Sequence, residues 1–293
     1  MSPLRLAGLT ALTMLAFAAN SILNRMALSA GLIDPIGFAV IRVLSGAAIL
    51  VVIALVGRRG VPILAPGRAV GVVSLCLYLV GFSIAYIHLD AGLGALILFG
   101  MVQLTMFAGA LRSEEAVTRG RWIGMAVALS GLAWLLWPAG AVRVPVIGAV
   151  AMGLAGVGWG IYSLVGRRAG DPLAATAANF LLAAPIIGVM PFLLPVQLDA
   201  TPLTAPGVGL AVLSGAVTSG LGYALWYSVL PRLAASVAGL VQLSVPVIAV
   251  LGGAVLLGEA ADLRVLGAGA VVLGGIAIGL LARHPRKMGS SGS

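Results

Sequence analysis

Residues 235–280 have the sequence ASVAGL VQLSVPVIAV LGGAVLLGEA ADLRVLGAGA VVLGGIAIGL, in which one short charged turn separates two apolar runs. Each run has about 20 residues, the length that an α-helix needs to cross the hydrocarbon core of a bilayer. The turn holds Glu259 and Asp262, and the second run is rich in glycine, as transmembrane helices often are. This stretch therefore predicts two membrane-spanning helices joined by a tight loop.

The composition of the whole chain has the same character. Of its 293 residues, 61% are hydrophobic and 9% are charged, whereas roughly 25% are charged in an average soluble domain. The net charge is +9, but the basic residues are scattered between apolar runs, which argues against a nucleic-acid-binding patch. The single cysteine, Cys76, excludes an internal disulfide and a multi-cysteine metal site. We expect an all-α polytopic membrane protein with no cofactor and no nucleic-acid partner.

Ten apolar runs of spanning length lie along the chain, each bounded by charged residues, proline or glycine. A helix rises about 1.5 Å per residue, so such runs match a bilayer core of roughly 30 Å. We predict one bundle of ten transmembrane helices rather than two soluble domains. The predicted spans are 4–30, 35–56, 69–87, 91–111, 121–137, 144–166, 172–194, 206–230, 234–257 and 263–281.

Basic residues are unequally distributed between the two sets of loops. The even-numbered loops and the termini hold 13 Arg and Lys residues, whereas the odd-numbered loops hold only Arg143 and Arg264. Because positive residues stay on the cytoplasmic side, we place both termini in the cytoplasm. We interpret residues 288–293, MGSSGS, as the remnant of an expression tag.

An internal repeat appears when the chain is shifted by 144 residues. Residues 91–136 then align with residues 235–280, and the acidic turns coincide at Glu115 and Glu259. Five spans per copy is an odd number, so the second copy enters the membrane from the opposite side. Inverted repeats of this kind are typical of carriers that work by alternating access. We expect two five-helix repeats, at 4–137 and 144–283.

These features resemble the drug/metabolite transporter superfamily, and specifically its EamA-type branch. The resemblance covers residues 4 to about 283 and includes the Leu257-Gly258-Glu259 turn before a glycine-rich last helix. Within the branch, segments 17–24 and 159–163 are most similar to the YddG-type exporters of aromatic and other neutral amino acids. The resemblance implies an exporter of such amino acids that works by alternating access in the bacterial cytoplasmic (inner) membrane.

Polar and aromatic side chains at mid-membrane depth form the candidate substrate site. A polar group there is costly unless it faces protein or a water-filled cavity. Amides could bind the two charged groups of a zwitterion and rings could stack on an apolar side chain, whereas helix packing is the alternative role for each. The candidate substrate-binding residues are Phe17, Asn20, Asn24, Tyr78, Trp159, Ser163, Asn179, Tyr223, Gln242 and Ser244.

Two further residues have alternative interpretations. Arg42 lies inside the second span, where it could meet a substrate carboxylate or extend outward to Asp34 or Asp90. Pro246 removes one helix hydrogen bond at mid-membrane, so it is either a gating hinge or a static kink.

Carboxylates are absent from the middle of every predicted span. Because a proton-coupled exporter of cations ordinarily needs a buried carboxylate, we expect facilitated transport of a small neutral solute. We also expect the protein to be a monomer. The alternative is a drug/metabolite exporter for another small metabolite or drug, with or without coupling to protons. A membrane enzyme is disfavoured because Cys76 is alone and His88 and His284 lie on opposite sides of the membrane.

The predicted topology can be tested by cysteine labelling. In a Cys76→Ser background, we expect cysteines introduced at Thr201 and at Arg58 to react with an impermeant reagent from opposite sides, Thr201 from outside. Labelling of intact cells and of inverted vesicles measures this. Equal access to both positions in intact cells would contradict the assignment.

Overall fold

The computed structural model describes residues 1–112, 117–136, 144–193, 203–259 and 263–281. In these ranges the chain forms helices and no strand. Glu115, Thr201, His284 and the terminal segment 288–293 lie outside them. The helices are α1 (Pro3–Ser29), α2 (Pro35–Val56), α3 (Arg68–His88), α4 (Ala91–Arg112), α5 (Arg119–Leu136), α6 (Val146–Arg167), α7 (Pro172–Leu193), α8 (Ala205–Leu213), α9 (Gly222–Val229), α10 (Ala235–Gln242), α11 (Ser244–Leu257) and α12 (Leu263–Leu281).

Eight helical segments of the described ranges are long and apolar enough to cross a membrane. They are α1 to α4, α6, α7 and the segments Ala205–Arg232 and Val237–Leu257. A helix also lies at each of the other two predicted spans, α5 and α12, but the apolar part of α12 is the shorter segment Leu266–Gly279. The chain is thus a polytopic helical membrane protein, and ten crossings and cytoplasmic termini remain predictions.

Several helices begin with a capping side chain followed closely by proline. Asp34 accepts a hydrogen bond from the backbone N–H of Gly37 at 2.8 Å and precedes Pro35. Asp171 accepts one from Ala174 at 3.1 Å and precedes Pro172. The carboxylate satisfies an N–H that the helix leaves free, and proline loses nothing at a position that needs no donor. The local sequence therefore fixes where α2 and α7 begin.

Two of the predicted spans are not regular α-helices. Between α8 and α9 the residues Ser214–Leu221 form a π-helix, and the span 234–257 is interrupted at Leu243. Gly215 lies in the π-helix where a Cβ would collide with the backbone oxygen of Arg42. Pro246 follows the interruption, in the first turn of α11, where its missing N–H is tolerated.

Helix pairing follows a pattern that a two-fold axis would produce. α2 packs on α7, α4 on α11 and α5 on α12. α6 packs on α3 and α4, and α1 correspondingly packs on α8, α9 and α11. Two repeats, at 4–137 and 144–283, stay a prediction.

A charge cluster joins the end of α1 to the end of α3, the start of α4 and the residues after α11. Arg25 pairs with Asp90 (Nη2–Oδ1 2.8 Å) and with Glu259 (Nε–Oε1 3.1 Å), and its Nη1 donates to the backbone oxygen of Tyr86 at 3.2 Å. Glu259 also accepts from the N–H of Ala91 at 3.1 and 3.0 Å. Burial raises the pKa of Glu259, and the hydrogen bonds from Ala91 and Arg25 oppose that shift. We call Arg25, Asp90, Ala91 and Glu259 the charge clamp.

Removing the cation of the charge clamp should cost more stability than removing one of its carboxylates. Arg25→Gln leaves two neighbouring carboxylates without a cation, so we expect a loss of about 1–3 kcal/mol. Glu259→Gln keeps the Arg25–Asp90 pair and an acceptor for Ala91, so its loss should be smaller. Thermal unfolding in detergent measures both, with the exposed Arg5→Gln as control. Equal losses, or a larger one for Glu259→Gln, would contradict this role.

Candidate functional site

Aromatic rings from α1, α3, α6 and α9 meet in the centre of the bundle. The ring centroid of Trp159 lies 5.3 Å from that of Phe17, 5.1 Å from Tyr78 and 4.6 Å from Tyr223. All four side chains are buried. Edge-to-face and tilted rings at 4.5–7 Å attract one another beyond their area burial. Four of the predicted site residues therefore do come together.

A small cavity lies within this aromatic group, and we call it the aromatic chamber. Its volume is about 10 Å³, enough for one water molecule at most. A solute of amino-acid size therefore requires the helices to move apart. The chamber is lined by Phe17, Tyr78, Phe82, Leu98, Phe99 and Trp159.

Arg42 points from α2 into the centre and is completely buried. Its Nε donates to the hydroxyl of Ser219 at 2.9 Å. Its Nη2 donates to the hydroxyls of Tyr78 at 2.8 Å and Tyr223 at 3.3 Å. The guanidinium carbon also lies 5.1 Å from the ring centre of Tyr78 and 5.0 Å from that of Phe82, within range of a cation–π interaction. Neutral groups thus surround the cation on these sides.

No carboxylate of the described residues pairs with Arg42. Asp34 caps α2 and Asp90 pairs with Arg25, so the interpretation that Arg42 extends outward to either of them is wrong. The Nη1 of Arg42 has no hydrogen-bond partner in this part of the chain. A buried charge is costly unless it is paired, and Nη1 is the nitrogen of this guanidinium that the described residues leave unsatisfied.

Asn20 connects α1 to the π-helix. Its Oδ1 accepts from the hydroxyls of Ser214 at 2.7 Å and Thr218 at 2.9 Å, and its Nδ2 donates to the hydroxyl of Tyr78 at 3.3 Å. Asn24, one turn later, donates through Nδ2 to the backbone oxygen of Asn20 at 2.9 Å and to Ser214 at 3.3 Å. We call Asn20, Asn24, Arg42, Tyr78, Ser214, Thr218 and Ser219 the polar network.

Gln242 contacts the site through Trp159 and holds that ring in place. Its Oε1 accepts from the indole Nε1 at 2.7 Å, and its Nε2 donates to the backbone oxygen of Ala238 at 3.1 Å and lies 3.2 Å from the sulfur of Met106. Both ends of the amide are therefore occupied by protein. Gln242 therefore positions the aromatic wall.

Three other predicted residues, Ser163, Asn179 and Ser244, do not line the aromatic chamber. Ser244 donates to the backbone oxygen of Val241 and lines a groove between α1, α10 and α11. Asn179 accepts from Nη1 of Arg68 at 2.8 Å. Ser163 is fully buried one turn after Trp159, and its hydroxyl has no partner in the described part of the chain.

Asn179 belongs to a second and larger cavity near one end of the bundle. Its volume is about 900 Å³, and its wall includes Arg68, Arg112 and Arg168. These residues lie at the helix ends that are predicted to face the cytoplasm. The charge clamp lies at the opposite helix ends. We call this cavity the vestibule.

Sequence reasoning missed several residues of this arrangement. Phe99 lines the aromatic chamber, Trp226 packs on Phe17 with ring centroids 5.8 Å apart, and Ser214 and Thr218 hold Asn20. Ser214 and Thr218 are one turn apart in an apolar span, and Ser219 follows Thr218 directly. This pattern was a usable signal. For Phe99 the usable signal was Gln103, a polar residue one turn later on the same face of α4.

Comparison with known proteins identifies relatives along nearly the whole chain. An uncharacterized protein of Pseudomonas aeruginosa is 47% identical over 279 residues, which is 95% of each chain. An uncharacterized transporter of Archaeoglobus fulgidus is 25% identical over 247 residues, covering 83% of this chain and 87% of the relative.

The fold and the second half of the chain are matched as well. A protein of known crystal structure superposes with a TM-score of 0.70 at 21% identity over 93% of this chain and 98% of its own, which shows a shared fold. Residues 146–281 match the EamA-like transporter family. The second half of the chain is therefore similar to the transporters of this family, which is part of the drug/metabolite transporter superfamily.

Proposed function

We propose that this protein exports neutral amino acids with aromatic or other apolar side chains by alternating access. The family provides the coarser part of this function, transport of a small substrate across a membrane without catalysis. The observation that carries the finer part is the buried guanidinium of Arg42, which has a free Nη1 and lies against aromatic rings. A solute with one carboxylate and an apolar body satisfies both surroundings.

The two ends of the bundle support a conformational cycle. The aromatic chamber is too small for substrate, the vestibule is large and open at the end predicted to be cytoplasmic, and the charge clamp lies at the other end. A substrate entering from the vestibule would separate α6 from α9, where the hydroxyl of Tyr227 donates to the backbone oxygen of Tyr162 at 3.3 Å. Release to the other side would then require the charge clamp to open.

Transport down the substrate gradient fits the groups that line the site. No Asp or Glu contacts the aromatic chamber or the polar network in the described chain, and Arg42 stays protonated at any physiological pH. The site therefore has no group that would exchange a proton for substrate. A cationic drug is disfavoured as a substrate because the positive charge of Arg42 would repel it.

Arg42 should be necessary for transport of a carboxylate substrate. In liposomes we expect Arg42→Gln to lower phenylalanine counterflow at least tenfold, since a hydrogen bond to a charged group is worth about 1.5–3 kcal/mol. Arg42→Lys should be intermediate, because an ammonium keeps the charge but loses the planar fork. The exposed Arg5→Gln serves as control.

A second measurement separates binding from folding in these variants. Phenylalanine should raise the melting temperature of the wild-type protein and not that of Arg42→Gln. Normal counterflow in a folded Arg42→Gln protein would refute the proposed site. Uphill accumulation driven by an imposed pH gradient alone would refute facilitated transport.

Trp159 should set the preference for large side chains. Trp159→Ala removes a ring that contacts Phe17, Tyr78 and Tyr223, and an aromatic pair adds about 0.5–1.5 kcal/mol beyond area burial. We expect counterflow of phenylalanine to fall several-fold more than that of alanine, with Trp159→Phe close to wild type. An equal loss for both amino acids would assign Trp159 to packing alone.

A further inference from the structure

We propose that Asn24 recognises the α-amino group of the substrate while Arg42 holds the carboxylate. This inference rests on the proposed function, which requires a carboxylate and an apolar body but specifies nothing about an amine. In this assignment the polar network binds the two charged groups of the substrate. The aromatic chamber binds the side chain of the substrate.

Asn24 carries a hydrogen-bond acceptor that the protein does not use. The side chain is completely buried. Its Nδ2 donates to Asn20 and Ser214, whereas its Oδ1 has no partner in the described ranges. An unpaired buried polar atom is unfavourable, and within a membrane span there is no bulk water to compensate it. The atom is therefore free to accept from a donor that the described chain does not supply.

Arg42 carries the complementary defect. Its Nη1 is an unused donor, and one set of hydrogen bonds connects it to Asn24. The connection passes from Arg42 to the hydroxyl of Tyr78, from Tyr78 to Asn20, and from Asn20 to Asn24. A free acceptor and a free donor thus belong to one polar network. In this proposal the α-ammonium of the substrate bonds the acceptor and its α-carboxylate bonds the donor, whereas either group alone leaves one of them unpaired.

Asn20, the neighbouring amide, is not available for this role. Its Oδ1 already accepts from Ser214 and Thr218, and its Nδ2 donates to Tyr78. The two amides of α1 therefore divide their functions: Asn20 joins helices and Asn24 remains open on its oxygen. An aspartate at position 24 would instead supply a permanent anion to the network that contains Arg42.

Three ligands of similar shape test the assignment in the wild-type protein. We expect phenylalanine to compete in counterflow at least tenfold better than 3-phenylpropionate, which lacks the amine, and than phenethylamine, which lacks the carboxylate. The tenfold ratio corresponds to one hydrogen bond to a charged group. If neither phenylalanine nor 3-phenylpropionate is bound, the proposed function fails. If these two bind equally, only the role of Asn24 fails.

Variants at Asn24 identify the residue. Leucine has a shape similar to that of asparagine but no hydrogen-bonding group. In Asn24→Leu we therefore expect phenylalanine to compete in counterflow about tenfold less well relative to 3-phenylpropionate, so that the two compete nearly equally. Competition by 3-phenylpropionate itself should be retained. Gln103→Leu is the matched control, because Gln103 is also buried with an unpaired Oε1 but lies outside the polar network. An equal loss for both ligands in Asn24→Leu would overturn the proposal.

A second substitution keeps the test decisive if Asn24→Leu does not fold. Asn24→Asp preserves the shape and converts the free acceptor into an anion. We expect it to shift the preference from 3-phenylpropionate toward phenethylamine by tenfold or more, since the added charge repels carboxylate and attracts amine. Unchanged ratios in a folded Asn24→Asp protein would overturn the assignment.

Discussion

The guanidinium of Arg42, buried in an apolar bundle with no carboxylate from the described chain beside it, constrains much of the surrounding structure. A charge in such surroundings is tolerated only where hydrogen bonds and ring faces replace water. Ser219, Tyr78 and Tyr223 supply the bonds, and Tyr78 and Phe82 supply the rings. The polar residues of three helices are therefore arranged around one cation.

The π-helix is part of the same arrangement. Wider turns appear as local defects at functional sites more often than elsewhere, and here the π-helix carries the hydroxyls that reach both Arg42 and Asn20. Gly215 within it lets the backbone approach α2, because any Cβ there would collide with the oxygen of Arg42. The close approach of these two helices and the burial of the cation therefore depend on the same few residues.

Much of the fold was predictable from the sequence because its causes are local. Apolar length and the Asp34-Pro35 pair determine where helices lie and begin, and each of the ten predicted spans contains a helix. The site was only partly predictable. The spacing of Phe17, Asn20 and Asn24 places them on one face, but which amide oxygen is left free depends on Ser214, which lies 190 residues from Asn24 in the chain.

The same limit explains the residues whose position differs from expectation. Asn179 lies as far into α7 as Arg42 does into α2, yet it bonds Arg68 at the wall of the vestibule. Gln242 is as polar as Asn24, yet Trp159 and Ala238 occupy its amide. Polarity and depth in the membrane can be seen in the sequence. Whether a polar group is satisfied by another helix depends on packing between distant segments, and this decides which groups are left for a ligand.

The neutrality of the groups around Arg42 has a consequence for a carrier. An aspartate in place of a tyrosine or serine hydroxyl would form a lasting ion pair, and breaking a buried pair costs several kcal/mol. Hydroxyls and amides stabilise the cation without neutralising it, so a bound anion adds the missing charge and can still leave. In the proposed cycle the substrate binds and is released in every turn. A site held together by weak neutral contacts suits that requirement better than one closed by the protein's own salt bridge.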